Sequence, residues 1–130
     1  MRAIKFRGRR PDNGEWVYGF ILRYRDKEEK LGIKESDEHG YWVVDSATVG
    51  QSTGLIDKNG NEIFEGDIMS DSIDNKGDRY LGVIVWRDDI CCFDMFGLHG
   101  SESYYLGDSD TDHMMVIGNI HDNPELLKTE

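Results

Sequence analysis

Between Glu15 and Arg25 every second residue is large and apolar: Trp16, Tyr18, Phe20, Leu22 and Tyr24. A period of two belongs to a β-strand, whose successive side chains point to opposite faces, so these five share one face. The preceding segment alternates too, with Ile4 and Phe6 set among Ala3, Lys5 and Arg7. Pro11-Asp12-Asn13-Gly14 lies between the two runs. Proline presets one turn angle and the Asn-Gly pair accepts positive φ, so the runs read as a hairpin.

The same pattern recurs along the chain. Leu55-Ile56, then Asp57-Lys58-Asn59-Gly60, then Glu62-Ile63-Phe64 is apolar, turn, apolar, with the Asn-Gly pair that tight hairpins favour. Glu65-Gly66-Asp67 leads into Ile68-Met69. Leu81 to Trp86 is rich in β-branched residues and pairs with Ile90 to Phe96 across Arg87-Asp88-Asp89. Tyr41-Trp42-Val43-Val44 reads as an extended segment, followed by a turn and a return strand through Thr48 to Gln51. Met114 to Ile120 reads as a last strand. Asn123 as N-cap, Pro124 in the first turn and Glu125 facing the dipole then start a short helix. Residues 26–40 are dominated by charge and read as an exposed loop; 71–78 and 97–112 are further polar spans. Fifteen glycines against two prolines suit many tight turns. The expected fold is mostly β, a β-rich α+β arrangement with one short C-terminal helix. A chain of 130 residues fits a single domain, whose usual size is roughly 100–150 residues.

The net charge of −11 is unevenly spread. Arg2, Lys5, Arg7, Arg9 and Arg10 crowd the first ten residues, which leaves 10 basic against 26 acidic residues elsewhere, a net of −16. Such a field repels phosphates over most of the surface and favours a basic partner protein, a nucleic-acid-like surface, or solubility alone. No apolar run approaches the roughly 20 residues that span a bilayer, and the start is not an export signal, so a cytoplasmic protein is expected. Cys91 and Cys92 are adjacent, which on a strand turns them to opposite faces and disfavours a bond between them; a buried, inert thiol is expected.

Each candidate for chemistry has a plain structural alternative. Asp108-Ser109-Asp110-Thr111-Asp112 begins like a calcium loop, but His113 stands where glycine makes the sharp turn and Asn119 where a bidentate Glu closes the site. His39, His99, His113 and His121 lack metal-ligand spacing. Glu65 and Asp67 are two close carboxylates of the kind hydrolases use, or a turn in which Asp67 accepts backbone hydrogen bonds. The aromatic stripe beside the basic start is either the core face of a strand or a platform on which single-stranded nucleic acid stacks. No cofactor motif is present.

Three blocks also resemble a known family. Thr48 to Ile68 looks like the central signature of YopX-like proteins of phages and prophages, in which Gln51, Thr53, Gly54, Asp57, Gly60, Glu65, Gly66 and Asp67 stand out. Ile4-Lys5-Phe6-Arg7 and Val116 to Leu127, the latter with Gly118, Asn119 and Pro124, resemble the family's two ends. Ser52 and His121 depart from it, standing where tyrosine is common. The resemblance implies a phage or prophage product in the cytoplasm of a bacterial host. It also implies a hairpin region over about 1–50 and a small SH3-like barrel over about 51–130. It assigns no reaction. The expectation is therefore a non-enzymatic accessory protein, without cofactor or metal, that binds a host or phage protein. The charge asymmetry leaves a homo-oligomer open. Two rivals remain: a nucleic-acid-associated protein using the basic N-terminal arm, and a metal-dependent hydrolase using Glu65, Asp67 and the Asp108–Asp112 cluster.

Overall fold

Strand pairing begins where the alternation begins. The computed structural model describes residues 4–23, 31–35, 40–71, 80–99, 102–106 and 113–128. The chain divides into two units, Met1–Ser52 and Thr53–Glu130.

In the first unit β1 (Phe6–Arg9) pairs antiparallel with β2 (Trp16–Arg23), Arg7 opposite Tyr18 and Arg9 opposite Trp16. The expected turn closes them: Arg10 N donates to Glu15 O at 2.8 Å, and Glu15 N to Asn13 Oδ1 at 3.0 Å. β3 (Leu31–Lys34) pairs with β2 and with the start of β4 (Trp42–Ile56). β4 also pairs with β1, Phe6 opposite Gln51 and Arg7 opposite Gly50, with an irregularity before Arg9 meets Asp45. The four strands thus form a closed cycle of pairings, which leaves β1 bonded along both sides. Val17, Ile33 and Val44 fill the inside, with Phe6, Leu31 and Val49 packed against them. Burying each such aliphatic side chain stabilises by about 1.5–3 kcal/mol.

Two expectations are corrected here. Residues 26–40 are not all loop: 31–34 form β3, because Leu31 and Ile33 alternate into the core and Ile33 is fully buried. The charged neighbours mask this three-residue signal. Nor do Tyr41–Val44 and Thr48–Gln51 form two strands about a turn. Trp42 to Gln51 belong to one strand of 15 residues, β4, which absorbs the change of partner through the irregularity facing β1.

In the second unit the tail of β4 pairs with β5 (Glu62–Phe64) across the Asp57–Gly60 turn. β6 (Asp67–Asp71), β7 (Leu81–Arg87), β8 (Cys92–Gly97), β9 (Tyr104–Tyr105) and β10 (Met114–Asn119) form an antiparallel sheet in the order β10-β6-β7-β8-β9. Its core is Ile63, Met69, Ile84, Met95, Leu106 and Met114, with Tyr80, Phe93 and Val116 packed against them. The expected C-terminal helix is a single 3-10 turn, Pro124–Leu127. Pro124 sits at its start as expected. Asn123 stands at the N-cap position as expected, but its side chain makes no capping bond: its Oδ1 accepts from Asn119 N instead, at 3.2 Å. Neither cysteine is the expected buried thiol. Cys91 is exposed in the β7–β8 turn with φ of 51°, and Cys92 is half-buried. The fold is mostly β, as the alternation implied. Among the described residues no helix is long and apolar enough to cross a membrane.

Candidate functional site

Register decides which face of β2 looks outward. Val17 lines the core, so Trp16, Tyr18 and Phe20, one residue out of phase with it, face away. The aromatic stripe is therefore an outer surface, with Tyr18 40% and Phe20 58% exposed. In an antiparallel pair directly opposed residues share a face. Arg7 and Arg9 of β1 lie opposite Tyr18 and Trp16, Lys34 of β3 lies opposite Phe20, and Lys5 shares the parity of Arg7. A row of rings on β2 thus runs between cations on β1 and a cation on β3.

The cations rest on the rings. The Arg7 guanidinium is 4.7 Å and that of Arg9 5.9 Å from the Trp16 centroid, and Lys5 Nζ is 5.8 Å from that of Tyr18. Negative ring faces attract cations at this range. Arg7 is itself buried, which makes it a brace for Trp16; Lys5 and Arg9 are half-buried. Asp45 of β4 lies across from Arg9 in the register. Arg10 is used otherwise. It stacks on Trp42 at 4.1 Å and holds Asp12 through two bonds of 2.6 and 3.0 Å, which keeps the Asp12 carboxyl below the usual carboxylate value. Sequence reasoning missed Lys34, because its strand was read as loop; the Leu31/Ile33 alternation was the available signal.

The residues expected to carry the family signature lie elsewhere, and most of them hold the chain. Asp57 is 3% exposed, and its carboxylate accepts from Asn59 N at 2.9 Å, Asn61 N at 2.8 Å and Val116 N at 2.9 Å. Burial works against that charge, but these backbone bonds outweigh it and hold its pKa below the ordinary value. Thr53 Oγ1 donates to Ile63 O and accepts from Leu55 N across the β4–β5 hairpin. Gly54, Gly60 and Gly66 all have positive φ, and Gly66 also donates to Ile84 O and accepts from Ile120 N. Gln51 lies on β4 opposite Phe6. The Asn119 carboxamide oxygen accepts from His121 N and Asp122 N, and Asn119 Nδ2 donates to Asp122. Gly118 leaves room for the Asn123 side chain, where any Cβ would collide with its Oδ1.

The hydrolase residues are only partly in view. Asp67 is 1% exposed and accepts from Phe64 N at 2.8 Å, the turn role weighed for it, while Glu65 is half-buried in the same turn. Asp108–Asp112 and His39 lie outside the described residues. Of the other histidines, His99 Nε2 meets Leu126 O at 2.8 Å, and His113 and His121 precede and follow β10. Among the described residues no three His, Cys, Asp or Glu side chains gather so as to hold a metal ion.

Comparison with known proteins adds a family and no activity. No curated protein matches the chain. A crystal structure of protein EF1440 from Enterococcus faecalis is similar to it at 26% identity and a TM-score of 0.57, covering 98% of this chain and 100% of that one. The family model described as YopX protein matches residues 5–128. With nearly the whole length matched, the chain belongs to the YopX family.

Proposed function

We propose that this is a non-catalytic binding module of a phage or prophage, at work in the cytoplasm of a bacterial host, and that it holds its partner on the outer face of β1–β3. One observation carries the reading: Tyr18 and Phe20 are exposed on an ordered strand, flanked by Lys5, Arg9 and Lys34. Solvent-facing rings in a row cost hydration free energy, and cations beside them select an anionic ligand with flat or apolar groups. The hydrolase reading is weaker. The buried Asp67 carboxylate that it needs already accepts a backbone N–H.

Affinity capture from the host, with nuclease treatment in parallel, tests the reading through two variants. Phe20→Ala is expected to lose the captured partner. Trp86→Ala, at a side chain 43% exposed in the second unit, is expected to keep it. Equal capture by both variants would place the partner off this face and overturn the assignment.

A further inference from the structure

We infer that the outer face of β1–β3 takes single-stranded nucleic acid, bases on Tyr18 and Phe20 and phosphates on Lys5, Arg9 and Lys34. The inference rests on the binding-face reading above and names its ligand. A polynucleotide strand presents flat, uncharged rings on one side and anionic phosphates on the other. The face offers both kinds of contact, with ring positions along β2 and cation positions on β1 and β3 to either side of it. Tyr18 and Phe20 are two residues apart on one strand face, about 6.6 Å along the strand direction. Lys5 lies over the Tyr18 ring, and at 40% and 58% exposure Tyr18 and Phe20 each keep surface on which a base can pack. Aromatic side chains accept any base because every base has a π-face, so the site selects single strands without selecting sequence.

Rival anions fit less well. An acidic peptide without aromatic or apolar side chains would use the cations and leave the rings without a counterpart. A duplex keeps its bases stacked inside and offers the rings no π-face. The charge of the whole chain limits the site to this face. Outside the first ten residues the net charge is −16, so a long polyanion is attracted only where Lys5, Arg9 and Lys34 outweigh that field. The expected complex is salt-labile. Three phosphate contacts on a single strand give a log–log slope against salt of about −2, at roughly 0.7 per contact.

The test is fluorescence anisotropy of a labelled oligothymidylate with the full chain, repeated with a mixed-sequence duplex, heparin and polyglutamate. Expected results are preference for the single strand, the shallow negative salt slope, and at least about a five-fold loss of affinity in Phe20→Ala that Phe20→Trp restores. Thermal unfolding of each variant separates loss of the face from loss of the fold. Failure to bind the oligothymidylate, or equal binding of the duplex with no response to Phe20→Ala, overturns the inference. Heparin or polyglutamate binding that matches the oligothymidylate in both variants overturns it too, but leaves an anion-binding face. If a protein partner is captured through Phe20 while no nucleic acid binds, the binding-face reading stands and the nucleic-acid assignment falls. If neither ligand depends on Phe20, both fall.

Discussion

The Asp57 carboxylate bonds to a backbone N–H 59 residues further on, that of Val116, while also closing its own turn through Asn59 and Asn61. Replacing it with alanine leaves those N–H groups to be resolvated or stranded. Asp57→Ala is expected to cost about 2–4 kcal/mol, read as a lower urea midpoint at unchanged slope. The charge has its own signature. A carboxyl held below its unfolded value contributes stability above that value and loses it as the pH falls through the folded one. Stability of the native protein should therefore drop below about pH 4, and Asp57→Asn should flatten that drop while lowering stability at neutral pH. Gly118→Ala drives a methyl into Asn123 and breaks its bond to Asn119 N; a loss of about 1–3 kcal/mol is expected in thermal unfolding. The turn role of Asp57 could be read from the Asp-Lys-Asn-Gly run. Its bond to Val116 could not, because nothing local in a sequence encodes a partner so remote.

Strands and hairpins were the most legible level, and the sidedness of β2 the least. Alternation reports that residues share a face without reporting whether that face is inside, and apolar character alone would put Trp16, Tyr18 and Phe20 in the core. Ring closure decides otherwise. Four strands enclose little volume: an added Cβ at Gly8 would lie 2.9 Å from the Val44 side chain, so Val17, Ile33 and Val44 fill the interior, with Phe6 at its margin, and the rings of β2 turn outward. Paired substitutions expose the difference. Ile33→Ala, at a fully buried position on β3, is expected to cost about 2–4 kcal/mol. Phe20→Ala, at a large side chain 58% exposed on the neighbouring strand, should stay within about 0.5 kcal/mol by chemical denaturation. The reverse ranking would mean that the aromatic stripe, and not the aliphatic one, is the core.

For the whole molecule, charge was fully legible and its arrangement was not. The excess of acid over base is evident in the residue count, but only the register shows the N-terminal cations and Lys34 bracketing one row of rings. This arrangement predicts an unusual kinetic response. Beyond a Debye length of about 10 Å at 0.1 M salt, an approaching polyanion meets the net charge of −11 and is repelled; at contact it meets the cationic face. Added salt should therefore speed dissociation of a single strand strongly while leaving association nearly constant, as stopped-flow measurement can show. Association that slows with salt as steeply as dissociation quickens would mean the net field is not felt. The closed cycle of strands has a further consequence, for biosynthesis. β1 precedes its partners in the chain and gains its second neighbour only when residues up to Gln51 have been made. During translation the ring stays open on one side, and its assembly waits on a contact between distant segments, the slow kind in folding. A nascent chain stalled before Gln51 presents an unpaired strand edge beside an uncovered apolar lining, the pair of features that chaperones and quality-control proteases engage.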